Sequence, residues 1–105
     1  MFQAPQTIKI TYDNGVIYQV QYLDETTLHW TCLEGIPKGS EATETFTAQQ
    51  ITADVWQVNW TEKDGITVVQ VVQPAQLKIS TTIIIPGEPA AQPTVLILQG
   101  NIEIV

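Results

Sequence analysis

The chain has 105 residues, 44% hydrophobic and only 14% charged, with a formal net charge of −7 and no arginine. That length suffices for one core but not two, and the hydrophobic content excludes a disordered chain. Eleven carboxylates against four scattered lysines (Lys9, Lys38, Lys63, Lys78) exclude nucleic acid and anionic membrane surfaces as partners, since both recruit clustered basic side chains.

Met1 to Ile10 contains no basic segment followed by a long apolar one, so no secretory signal is expected. No later apolar run reaches membrane-spanning length, and the cytoplasm is the expected compartment. Thr, Ile and Val make up about a third of the residues, a β-branched excess that favours strands. No stretch combines helical spacing with caps at both ends.

Thr7 to Tyr12 alternates, with Ile8, Ile10 and Tyr12 on one face, and Asp13-Asn14-Gly15 supplies a tight hairpin turn. The return strand, Val16 to Leu23, sets Tyr18, Val20 and Tyr22 against Gln19 and Gln21, one face dry and one wet. After Asp24-Glu25-Thr26, a strand from Thr27 to Leu33 places Leu28, Trp30 and Cys32 on one side. Cys32 has no cysteine to pair with and reads as a small buried hydrophobe. His29 falls on the opposite face, as a surface or rim histidine.

Glu34 to Glu41 is a polar connection broken by Gly35, Pro37 and Gly39. A strand is expected over Thr43 to Gln50, then one over Val55 to Trp60 with Trp56, Val58 and Trp60 in phase. Glu62-Lys63-Asp64-Gly65 turns the chain into Ile66 to Val72, which Pro74 ends for want of an N–H. Leu77 to Ile85 follows, then the Pro/Gly-rich loop Pro86 to Pro93 and a strand over Thr94 to Leu98. Gln99-Gly100-Asn101 reads as a turn before a last strand, Ile102 to Val105.

Eight or nine short strands joined by turns imply one all-β domain over residues 1–105, an up-and-down antiparallel meander. Closure into a lipocalin-like or calycin-like barrel is expected, because it removes sheet edges. A two-sheet sandwich is the alternative. Continuous apolar runs such as Thr82 to Ile85 suggest strands covered on both faces, and with them a homodimer.

One histidine and one cysteine cannot build the usual nitrogen and sulfur metal sites, and no nucleotide-binding or nucleophile motif is present, so no metal or cofactor is expected. The strand phases of Tyr12, Tyr18, Tyr22, Trp30, Trp56, Trp60 and Glu62 are compatible with one central space. Two readings of that set stand: ordinary barrel packing, or the wall of a cavity for a small aromatic or hydrophobic ligand. Glu62 is either an exposed turn carboxylate or, if desolvated beside phenols, an acid or base with a raised pKa.

The segments Ile10 to Tyr18 and Val55 to Glu62 resemble a hairpin and a strand end of phenolic acid decarboxylases, lipocalin-like barrels that work without a cofactor. That resemblance implies functional roles for Tyr12, Tyr18 and Glu62. It departs from the pattern at Ile10, where the family has another tyrosine, and at Ser40, nearest to the place of its arginine. No realignment restores the arginine that would clamp a carboxylate substrate. The segments Leu28 to Gly35, Lys38-Gly39 and Asn59 to Gly65 are similar to MoaF-like proteins of the same barrel superfamily, over roughly Thr7 to Ile85. This resemblance implies the barrel but no particular reaction. The chain is therefore expected to be a small-molecule-binding barrel, with a lyase-like enzyme using Glu62 and a homodimeric interaction protein as alternatives.

Overall fold

The structure, a computed structural model, describes residues 6–35, 37–87 and 92–105. Residues 1–5 of the expected signal-free start, Ile36 of the polar connection and residues 88–91 of the Pro/Gly-rich loop lie outside the described residues.

Nine strands follow in order: β1 (Gln6–Tyr12), β2 (Ile17–Tyr22), β3 (Thr27–Glu34), β4 (Glu41–Thr45), β5 (Thr47–Thr52), β6 (Val55–Thr61), β7 (Thr67–Gln73), β8 (Lys78–Ile85) and β9 (Thr94–Ile104). All pairings are antiparallel, in the order β4-β3-β2-β1-β9-β8-β7-β6-β5. The two edge strands, β4 and β5, are separated in sequence by one residue, Phe46. A sheet whose opposite edges are joined by a single residue has to curl round on itself. The result is a nearly closed barrel in which residues 41–52 act as one bent stave, pairing first with β3 and then with β6. The sandwich alternative is thereby set aside.

Most strands keep the expected alternation. Ile8, Ile10, Val20, Tyr22, Leu28, Val58, Val72, Ile79 and Ile102 converge as a buried core, held by the apolar area each removes from water. Phe46 joins them from the bend, its ring edge-on to Tyr22 at 5.5 Å. The backbone N–H of Phe46 donates to the Thr26 carbonyl, pinning the bend to the β2–β3 turn. This end of the barrel is plugged.

The strand expected over Thr43 to Gln50 is two, because Phe46 turns inward at the bend. Leu77 is not the first residue of β8. It caps a 3-10 turn, Pro74–Gln76, in the left-handed conformation (φ 55°), its N–H bonded to the Pro74 carbonyl.

The largest difference lies at Gln99-Gly100-Asn101, which is no turn: β9 runs through it without a break. Gly100 pairs with Tyr12 on one side and Ile79 on the other. A Cβ there would lie 2.8 Å from the Thr11 carbonyl oxygen and 3.0 Å from the Tyr12 ring. The glycine is a site of close approach inside a strand, the other use that strands make of glycine.

The outer side of β9 exposes Val95 and Ile97, while Thr82 to Ile85 of β8, the run behind the homodimer expectation, is half-buried. Among the described residues, no helix is long and apolar enough to cross a membrane.

Candidate functional site

The barrel end opposite Phe46 is open. Strands β1, β3, β6 and β8 run out at this end, and Gly15, Gly35, Gly39 and Gly65, which follow the first three of them, all adopt positive φ. Two of the connections at this end are built alike. In the first, Tyr12 N–H donates to Val16 O, Gly15 N–H to Tyr12 O and Val16 N–H to Asn14 Oδ1. In the second, Glu62, Gly65, Ile66 and Asp64 make the same set. Each is the three-residue hairpin that needs glycine in a left-handed position. Tyr12 and Glu62 are thus equivalent residues, each entering a hairpin at the rim.

Below the rim lies a cavity of about 240 Å³. Its walls include Tyr12, Tyr18, Trp30, Trp60 and Glu62, five of the seven residues expected to meet there. The other two do not line it. Tyr22 is two pleats from Tyr18 on β2, in the plugged end against Phe46. Trp56 is likewise four residues from Trp60 on β6, about 13 Å along a strand, and pairs with Gln50 and Val72.

Tyr12, Tyr18 and Trp30 form a continuous wall of edge-to-face contacts, with centroids 6.3 Å and 5.8 Å apart. Each such contact contributes about 0.5–1.5 kcal/mol beyond area burial. The Tyr12 hydroxyl makes a 2.6 Å hydrogen bond with Thr81 Oγ1. It reaches two strands away because Gly100 has no side chain between β1 and β8. Gln70, from β7, also reaches the Tyr12 phenol.

Burial raises the pKa of Tyr12, and Tyr18 is pushed up to about 12, first by burial and then by the neighbouring Cys32 thiol. Both phenols therefore stay protonated at neutral pH and serve as hydrogen-bonding groups, not bases. At Glu62 burial raises the pKa above the usual 4.5, the Trp60 indole opposes the shift, and the Glu44 and Asp64 carboxylates add to it.

Trp60 Nε1–H donates to Glu62 Oε2 at 3.2 Å, and Trp30 Nε1–H to Glu44 Oε2 at 3.0 Å. These two indole–carboxylate pairs sit where the barrel closes least completely. β5 pairs with β6 only up to Asn59, so Trp60 and Glu62 run on past it towards the unpaired edge of β4.

Three polar residues of this region were not expected. Gln70 and Thr81 line the cavity, and Glu44 holds Trp30. Gln70 is legible in retrospect as a polar residue in phase with Val68 and Val72, and Thr81 in phase with Ile79 and Ile83. Glu44 shares its phase only with Ala42 and Phe46 in a mostly polar strand, a weak signal. Cys32 is buried, and His29 lies outside, bonded to Thr43 and 3.4 Å from Glu41. Among the described residues, no group of His, Cys, Asp and Glu could hold a metal ion.

The family model described as MoaF-like matches residues 4–102. Among solved structures, the crystal structure of a "putative beta-lactamase" from Burkholderia vietnamiensis is similar at 23% identity with a TM-score of 0.84, covering 97% of this chain and 94% of that one. At that identity the likeness concerns the fold. No curated protein matches the sequence.

Proposed function

The chain belongs to the MoaF-like family, and from the open end of its barrel we propose that it is a binding protein for a small aromatic or hydrophobic molecule. The observation that carries this reading is the cavity itself: about 240 Å³, walled by Tyr12, Tyr18, Trp30 and Trp60 at one end of a barrel packed solid at the other. A volume below the range of about 300–1,000 Å³ usual for drug-sized ligands favours a compact occupant.

Tryptophan emission tests it. Because Trp30 and Trp60 line the cavity and Trp56 does not, a ligand should change emission in the parent and in Trp56→Phe, but not in the Trp30→Phe/Trp60→Phe variant. A panel of phenols, aryl alcohols and aryl amines that leaves the parent unchanged overturns the proposal.

An enzymatic reading has one observation in its favour, the desolvated Glu62 beside the tyrosine wall. Glu62→Gln and Tyr12→Phe would then abolish turnover while the fold survives. Carboxylate substrates suit it poorly, since no arginine is available to clamp them. The homodimer reading draws on the exposed Val95 and Ile97, and static light scattering that finds a monomer at every concentration removes it.

A further inference from the structure

The polar groups deep in the cavity are largely engaged with one another: the Tyr12 and Thr81 hydroxyls share one hydrogen bond, and Gln70 also reaches the Tyr12 phenol. The Trp30 and Trp60 indole N–H groups, which would otherwise hold an anion or a carbonyl, are spent on Glu44 and Glu62. The Tyr18 phenol is engaged with the Cys32 thiol.

Two hydrogen-bond acceptors stand open, at Gln70 and at Glu62. Gln70 is only 3% exposed, lines the cavity, and has its Oε1 buried without a partner. Leaving such an acceptor unpaired is costly, and a donor from a ligand would remove the cost. At the mouth, one oxygen of Glu62 takes the Trp60 indole, which leaves the other for a guest. Among the described residues that line the cavity none is basic, and Lys38 is paired with Glu34 at 3.2 Å. With the Tyr18, Trp30 and Trp60 rings in the wall and no cation among them, the environment favours a cation over an anion.

We infer that the cavity selects a protonated primary amine on a small apolar or aromatic body, its ammonium at Glu62 and Glu44 and its inner end near Gln70. This inference rests on the binding reading and adds the class of ligand. A hydroxyl at the inner end of such an amine would donate to Gln70 Oε1. Glu62 enters the rim hairpin, with Glu44 near it, while Gln70 pairs with Val58 and Thr81 deeper in the barrel, so the two polar ends of the ligand are separated by its apolar body.

Three size-matched probes decide it: 3-phenylpropylamine, 3-phenylpropan-1-ol and 3-phenylpropanoate, titrated by calorimetry and tryptophan emission at neutral pH. The amine should bind about tenfold more tightly than the alcohol, with the carboxylate weakest. Glu62→Gln/Glu44→Gln, which keeps an acceptor for each indole, should bring the amine's affinity down to that of the alcohol. Glu25→Gln/Glu103→Gln, two exposed positions away from the cavity lining, removes the same number of charges and should change neither affinity. A para-hydroxyl on the amine should improve affinity in the parent but not in Gln70→Met. Equal binding of amine and alcohol, tightest binding by the carboxylate, an amine preference that survives the double variant, or no Gln70-dependent gain overturns the inference and leaves the binding reading standing. If none of the three probes binds, the binding reading falls and this inference with it.

Discussion

Tyr12 spans the gap that Gly100 leaves in β9, and its hydroxyl ends on Thr81, which is 2% exposed. Tyr12→Phe strands a buried hydroxyl and should cost about 1–3 kcal/mol in denaturant unfolding. Tyr12→Phe/Thr81→Val, which removes both polar partners, should recover part of that loss. Glu62 pulls in the other direction. Its folded pKa lies above the ordinary 4.5, so between those two values the folded state holds more proton than the unfolded state. Stability therefore falls as pH rises through that window, and above it the ionised carboxylate is a net cost. Glu62→Gln should stabilise the fold at neutral pH, seen as a higher melting temperature, by less than about 1 kcal/mol because the group is half exposed and screened. Below the ordinary carboxylate pKa it should make no difference. A parent and variant with parallel stability profiles across acid pH would contradict the desolvation.

Among the elements, β9 separates what the sequence discloses from what it hides. Gln99-Gly100-Asn101 has the composition of a turn, and nothing nearby indicates that Tyr12 needs the space at Gly100. Gly100→Ala should destabilise the barrel by about 1–3 kcal/mol, since the Thr11 backbone oxygen that meets the new methyl group cannot swing away as a side chain could. An alanine variant that unfolds with the parent would show that β1 and β9 are less closely apposed. The hairpins at Gly15 and Gly65 were legible, because each carries its turn chemistry within five residues. The strand phases that put Tyr12, Tyr18, Trp30, Trp60 and Glu62 on inner faces were legible for the same reason. Which inner-facing residues lie at the open end and which in the plug was not, and so Tyr22 and Trp56 were grouped with a cavity they do not line.

For the molecule as a whole, the decisive residue is Phe46. It bends one stave so that a nine-stranded sheet closes, and it plugs the end that the cavity does not occupy. Phe46→Ala should cost about 3–5 kcal/mol, the range for losing a large buried aromatic side chain. A loss below 1 kcal/mol would mean that this end is not close-packed. The same bend leaves β6 running past β5, and so brings the Trp30–Glu44 and Trp60–Glu62 pairs to the least complete part of the wall. A barrel closed by hydrogen bonds all round would have no unpaired β4 edge there.

Alternation, turn residues and composition are local properties, and they determined by themselves that this chain is an all-β antiparallel meander with rings on one face of its strands; closure into a barrel was settled by the folded chain. Depth along the barrel axis was decided only by the folded chain, because it depends on register between strands far apart in sequence. That register pairs Tyr12 with Thr81 across 69 residues, buries the Gln70 acceptor without a partner, and sets Glu44 near Glu62. Those long-range placements, more than any single motif, decide which groups line the cavity.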